Sequence, residues 1–247
     1  MKNKIGIIGG TGLTRLEGLE ITDQIEIDTP YGKPSGPLLT GTYSGREIIF
    51  LARHGDPHTI PPHRVNYQAN IWALKEAGVQ DIIAVNAVGG ISREMSPERI
   101  VVPDQVIDYT WSRNHTFFED DIEQVVHIDF THPYDEKLRR IIIDAADKAN
   151  MHIMEEGTYG ATQGPRLESA AEIVRMQEDG CNIVGMTGMP ETALARELAI
   201  RYACISLVVN WAAGKGDETI TMEIIEQHLK HGMEQVLVLL GHVLQHV

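Results

Sequence analysis

The chain has 247 residues, 43% of them hydrophobic and 23% charged, an ordinary globular balance with material for a sizeable core. Its 35 acidic side chains outnumber 21 basic ones, and the formal charge of −14 repels phosphate backbones and anionic lipid, which argues against nucleic-acid and membrane partners. Two cysteines without metal-type spacing, no signal-peptide apolar region and no run near the roughly 20 apolar residues of a membrane span make a cytoplasmic protein the expectation.

Taken in chain order, short β-branched runs alternate with helical patterns. Lys4–Ile8, Glu47–Leu51, Asp81–Val85, Ile100–Val106, Ile183–Met186 and Cys204–Val209 read as buried strands. Pro133–Asn150 reads as a helix with Leu138, Ile141, Ile142, Ala145 and Ala149 on one face. Pro190–Ala203 and Thr221–His246 are two more helices, the latter with Thr221 suited to its start. No repeat, low-complexity tract or linker interrupts the pattern, so residues 1–247 are expected to form one α/β domain, a mixed central sheet with helices on both faces.

Ligands of such sheets sit outside the carboxyl ends of the strands, which directs attention to the polar residues that follow each run. Gly9-Gly10-Thr11-Gly12 brings backbone N–H groups and a hydroxyl close to an oxyanion, or makes a tight strand exit. It lacks a dinucleotide fingerprint, because Arg15 stands where the third glycine belongs. Arg53-His54 offers a bidentate fork and an imidazole for phosphate, or Arg53 makes a surface ion pair. A zinc site from His54, His58 and His63 is the weaker reading, since Gly55, Pro57, Pro61 and Pro62 forbid the helix that would align them. Asn86-Ala87-Val88-Gly89-Gly90 either approaches a ligand with its backbone or makes a buried turn capped by Asn86. Glu168, after the Gly164-Pro165 turn, either accepts from a purine N1–H or sits in the first turn of a helix. Met186 and Thr187 offer an apolar contact and a hydroxyl donor, although a methionine there is more often core. Asn210 closes an apolar run and either caps it or reads N7 and O6 of one base edge.

Together these motifs resemble the trimeric purine nucleoside phosphorylase family, in its methylthioadenosine/methylthioinosine branch. Ile7–Gly12, Leu51–Gly55, Val65-Asn66-Tyr67-Gln68-Ala69-Asn70 and Met186–Glu191 carry the likeness, which runs from Lys4 to the C-terminal helix. The resemblance implies a mixed-sheet α/β fold, a homotrimer, inorganic phosphate as co-substrate and no metal or organic cofactor. It places Thr11, Arg53, His54, Asn86, the Ala87 backbone N–H and Thr187 around phosphate. Met186, His58, Leu167 and Met222 would surround the nucleoside, and His127 would reach the neighbouring subunit's site. Asn86 stands where the methylthioadenosine enzymes use a Thr.

The resemblance also implies the base. Members that take 6-aminopurines carry Asp in place of Asn210 and of Ala212, whereas those that take 6-oxopurines carry Asn and, at the position of Glu168, Glu. Glu168 and Asn210 are therefore the expected catalytic pair, stabilising the leaving purine at N1–H and at N7/O6. Met222 falls where inosine phosphorylases place a His for the 5′-hydroxyl, which points to a 5′-methylthio group and a methylthioinosine phosphorylase. The alternatives are a broader 6-oxopurine nucleoside phosphorylase, a methylthioadenosine phosphorylase, an NAD(P)-dependent oxidoreductase using the glycine loop, and a non-catalytic purine-binding module.

Overall fold

The computed structural model describes residues 4–119, 123–216 and 220–247. Its strands are β1 (Lys4–Gly9), β2 (Leu19–Ile25), β3 (Leu38–Tyr43), β4 (Arg46–Ala52), β5 (Val79–Gly90), β6 (Ile100–Val101), β7 (Gln105–Asp108), β8 (Thr158–Ala161), β9 (Ile183–Gly185) and β10 (Arg201–Trp211). The helices are α1 (Tyr67–Glu76), α2 (Glu136–Lys148), α3 (Ala170–Glu178), α4 (Glu191–Glu197) and α5 (Met222–His246). The strands join one mixed sheet in the order β2-β3-β4-β1-β5-β9-β8-β7, with β10 along β5 and β6 along β10. β4, β1, β5 and β10 are parallel, as are β9, β8 and β7, and β9 meets the end of β5 antiparallel.

Strict alternation in the central strands builds two cores. Ile5 and Ile7 of β1, Ile83 and Val85 of β5, and Ile205, Leu207 and Val209 of β10 face α2 and α5. Ile8, Ile82, Ala84, Tyr202 and Cys204 face α1 and α4 on the other side. Period-2 side-chain direction makes such strands apolar throughout, because both faces are covered. α5 lies close on β10 at Gly232, where a Cβ would overlap the Leu207 side chain. Asn66, Asp135, Ser169 and Thr221 each cap a helix by accepting from a backbone N–H in its first turn.

β10 carries an irregularity that matters below. Val208 stands opposite Val88 but Asn210 stands opposite Gly89, so Val209 is an inserted residue. Its carbonyl is met by His228 Nδ1 of α5 at 2.9 Å. A bulge of this kind lets consecutive side chains depart from the regular pleat.

The expected α/β fold is present, with corrections to its elements. The strand expected over Ile100–Val106 is two, β6 and β7, divided at Pro103, which has no N–H for a ladder. The helix expected over Pro190–Ala203 stops at Glu197; Ala199 takes φ 53°, and β10 begins at Arg201. β5 does not end at Val85 but runs on to Gly90, so Asn86 sits inside a strand and caps no turn. Among the described residues no helix is long and apolar enough to cross a membrane.

Candidate active site

A cavity of about 530 Å³ opens between the second half of β5 and the carboxyl end of β9 with the segment that follows it. That is ample for a nucleoside-sized ligand. Gly10, Gly12, Arg53, His54, His58, Asn86, Ala87, Leu167, Glu168, Met186, Thr187, Asn210 and Met222 all line it, so segments that follow or end β1, β4, β5, β8, β9 and β10 meet at one place. The Thr11 side chain lies outside the described residues. His127 is exposed and is not among the residues that line its own chain's cavity.

Arg53 differs from both of its sequence readings. It is neither a surface ion pair nor a free fork for phosphate, being 2% exposed and bound edge-on by Glu191, which is 0% exposed. Its Nε and Nη2 each donate to the Glu191 carboxylate at 2.7 Å, Nη1 donates to the Val85 carbonyl at 3.1 Å, and Tyr202 Oη also donates to Glu191. The bidentate edge is thus occupied by a carboxylate, and only the remaining N–H groups of Nη1 and Nη2 are left for a ligand. Burial alone would lower the Arg53 pKa, but the charge and hydrogen bonds of Glu191 hold it well above the ordinary value. The guanidinium is a fixed positive charge in the cavity wall.

Two polar atoms in this wall are buried without a hydrogen-bond partner, Thr187 Oγ1 and Asn86 Oδ1. A buried group of this kind costs about 1–3 kcal/mol unless a ligand satisfies it. Asn86 Nδ2 donates to Cys204 Sγ at 3.1 Å, and Sγ lies 3.4 Å from Ser206 Oγ. Burial pushes the Cys204 thiol up to about 11, so it keeps its proton at neutral pH. Gly185 brings this wall close to Tyr159, whose Oη a Cβ at 185 would overlap and toward which the Thr187 N–H points at 3.4 Å.

His54 lies beside this wall. Burial, and then the charge of Arg53, lower its pKa to about 4, so it is neutral at physiological pH. Its Nδ1 is 2.8 Å from the Ile60 carbonyl, a group that only accepts. Nδ1 therefore carries the proton and Nε2 is left as an acceptor, able to receive a hydrogen bond from a phosphate hydroxyl. The His54 and His58 rings stack at 4.5 Å and 17°. Stacked rings direct their nitrogen lone pairs side by side, which is the wrong arrangement for convergent zinc ligation.

Glu168 lies ahead of α3, not inside it. The helix begins after Ser169, whose capping box uses Glu172, and Glu172 is the carboxylate of the first turn. Glu168 instead accepts from Thr162 Oγ1 at 2.6 Å, which fixes one carboxylate oxygen and leaves the other for a ligand. Asn210 Nδ2 donates to the Trp211 carbonyl at 2.7 Å, and the amide retains a second N–H and its oxygen. Val209 and Asn210 both line the cavity, as the inserted residue permits. Met186 touches this wall rather than the core, and it is half-buried.

The remaining wall is apolar. Met222, Ile225, Leu229 and Met233 line the cavity from successive turns of α5, with Ile220 ahead of it. Of these only Met222 is identified by the sequence, although the 222, 225, 229, 233 spacing is a helical stripe legible in it. The segment Thr162–Glu168 is marked by the sequence, but the bond between its two ends is not, nor is the ion-pair role of Glu191, which lies in a recognised motif although nothing local reveals a partner at position 53.

Comparison with known proteins agrees with this geometry. A family model described as Phosphorylase superfamily matches residues 4–245. A Pseudomonas syringae pv. tomato protein named "Probable S-methyl-5'-thioinosine phosphorylase" is 58% identical over 238 residues, 96% of this chain and 97% of that protein. A Dictyoglomus turgidum protein named "Probable 6-oxopurine nucleoside phosphorylase" is 45% identical over 94% of this chain and 88% of its own. Among solved structures, methylthioadenosine phosphorylase from Schistosoma mansoni in complex with adenine superposes with a TM-score of 0.93 at 32% identity, covering 98% of this chain and 91% of that one. A cavity whose walls hold a fixed cation and orphaned polar atoms, in a chain matched this completely, leaves no place for the oxidoreductase reading, and the chain belongs to the phosphorylase superfamily.

Proposed function

We propose that this phosphorylase cleaves the glycosidic bond of S-methyl-5′-thioinosine with inorganic phosphate, giving hypoxanthine and 5-methylthioribose 1-phosphate. The observation that carries the reading is a single cavity combining Glu168 and Asn210 for a 6-oxopurine with buried, unpartnered polar atoms at Asn86 and Thr187 for an anion. Relatives named for methylthioinosine and for 6-oxopurine nucleosides support the base assignment. The α5 stripe from Met222 to Met233 supports the 5′-methylthio group, since it supplies packing and no partner for a hydroxyl.

The roles follow from the bond to be broken. Cleavage of C1′–N9 leaves an electron pair on the purine and an oxocarbenium-like sugar, as in other glycosidic cleavages. Asn210 stabilises the growing charge at N7 and O6, and Glu168 holds N1–H. Phosphate, held by Thr11, Asn86, the Ala87 N–H and Thr187, faces the cationic sugar carbon and then bonds to C1′. Arg53 contributes a fixed charge and its remaining N–H groups, and neutral His54 accepts the phosphate hydroxyl. Met186, His58 and Leu167 enclose the sugar and base. No metal or organic cofactor takes part in this scheme.

In this reading the chain is one domain, acts in the cytoplasm, and works as a homotrimer in which His127 reaches a neighbouring site. Leu167 is 44% and Met222 62% exposed although both line the cavity, so a single chain leaves that side open, and Val125 and Val126 beside His127 are exposed apolar residues. The deciding experiment is a phosphorolysis panel of methylthioinosine, inosine, methylthioadenosine and adenosine. Methylthioinosine should exceed inosine by about tenfold or more, the cost of burying an unpaired hydroxyl against Met222. Better cleavage of inosine overturns the 5′ assignment; release of no base from any nucleoside overturns the whole reading.

A further inference from the structure

Arg113 is 8% exposed, and no carboxylate among the described residues forms an ion pair with it. A guanidinium taken out of water without a counter-charge is costly unless its donors are satisfied. Here they are, and by a particular set of acceptors. Nη1 donates to the carbonyls of Met186 at 2.9 Å and Met189 at 2.5 Å and to Tyr67 Oη at 3.2 Å. Nη2 donates to the carbonyls of Thr162 at 3.2 Å and Gln163 at 2.9 Å, and Nε to Gln163 Oε1 at 3.1 Å. The guanidinium also lies over the Tyr67 ring, 5.3 Å from its centroid.

The topology explains why these acceptors are within reach. β7, β8 and β9 are adjacent and parallel, so the segments that follow them emerge at the same end of the sheet. Arg113 follows β7, Thr162 and Gln163 follow β8, and Met186 and Met189 follow β9. The segment after β8 carries Glu168, and the segment after β9 carries Thr187. One planar, rigid cation thus holds the base-reading and anion-reading segments by their backbones. Lysine, a point charge on a flexible stem, cannot span both.

We propose that Arg113 is a positioning residue that sets the spacing between the Thr162–Glu168 and Met186–Pro190 segments, and with it the separation of the groups that grip the purine and the phosphate. The inference rests on the phosphorylase reading of the cavity but not on which purine nucleoside is the substrate, because every readout is a ratio to wild type on whatever nucleoside wild type cleaves. An inactive wild type would defeat that reading before the variants are compared.

Arg139 provides the control. It is also buried, 6% exposed, and donates to the carbonyls of Pro103, Val102 and Glu155, none of which lines the cavity, with Glu136 beside it. Arg113→Lys and Arg139→Lys should both lower the thermal midpoint. Only Arg113→Lys should lower kcat/KM, by about 10²-fold for a small misplacement of reacting groups, raising the KM for nucleoside and for phosphate together. If Arg113→Lys folds poorly, Gln163→Leu removes the side-chain oxygen that accepts from Nε and from the Trp111 N–H while leaving the cation in place, and about a tenfold or greater loss with the same joint rise in KM is expected for one charge-assisted bond. The proposal is overturned if Arg113→Lys keeps wild-type kcat/KM, if Arg139→Lys loses as much activity at equal destabilisation, or if Gln163→Leu leaves both KM values unchanged.

Discussion

Removing Glu191 tests how the site keeps its charge. Glu191→Ala deletes the two 2.7 Å contacts to Arg53 and the acceptor of Tyr202, and leaves a guanidinium that is 2% exposed without its counter-ion. Breaking a buried pair from one side costs about 3–5 kcal/mol, and losing the tyrosine bond adds about 1 kcal/mol. Urea unfolding should therefore show a loss of about 4–6 kcal/mol, a large share of the total for one domain. Replacing both members, Arg53→Leu with Glu191→Leu, should recover much of this, because an apolar pair of similar volume removes the stranded charge. The double variant also separates stability from binding. If Arg53 supplies charge to phosphate, the phosphate KM rises at least about tenfold in the double variant even though the fold is restored. A loss under about 1 kcal/mol in Glu191→Ala would refute the buried-pair argument. A stable double variant with an unchanged phosphate KM would make Arg53 purely structural.

Two further predictions concern protons and bases. The folded pKa of His54 is about 4 against an ordinary 6.5, so the unfolded chain takes up a proton that the fold refuses; stability of the free protein should be unaffected above 6.5, fall as pH drops below it, and level off near 4. His54→Gln should flatten that part of a denaturation-midpoint profile taken without phosphate, and an identical slope in the variant would show that other groups produce it. Asn210→Asp alone should reduce methylthioinosine cleavage by about 10²-fold with little gain on methylthioadenosine, because the acceptor oxygen of Glu168 still faces the N1 lone pair of adenine. Adding Glu168→Ser should turn the ratio of the two specificity constants toward the aminopurine, and efficient methylthioadenosine cleavage by Asn210→Asp alone would mean that Glu168 does not read N1.

The parts of the fold that were legible in the sequence are those with a single dominant signal. β1, β4, β5 and β10 each hold a run of apolar residues because both of their faces are covered, and α2 and α5 have clear apolar stripes. β2 went unread because Leu19–Ile25 is exposed along most of its length and offers neither an apolar run nor alternation. α1 went unread for the opposite reason: Tyr67, Gln68, Ala69, Asn70, Ile71, Ala73 and Leu74 are all buried, so no face stands out. α3 did announce itself, through Ser169 and Glu172 at capping-box spacing, and was overlooked. At the site, the residues that line the cavity are mostly those whose motifs mark them. What the motifs could not give is which atoms are already taken. The Arg53 fork turned inward to Glu191, and the grip of Arg113 on two neighbouring segments, arise from chain crossings that no local pattern encodes.

The inserted Val209 has a consequence for how such a site can change. Asn210 pairs with Gly89, three positions beyond Asn86 on the same strand, about 10 Å at strand rise. The position of Asn210 is therefore set by a count of residues along β10 that includes one without a partner on β5. Exchanging the amide at 210 for a carboxylate leaves that position intact, so preference between oxo and amino purines can shift through side-chain changes at 210 and 168 together, with no change in the backbone. Deleting Val209 would keep Asn210 and Glu168 but move Asn210 out of register with Gly89. Lineages built on this scaffold should therefore vary freely in what stands at position 210 and hardly at all in how many residues precede it.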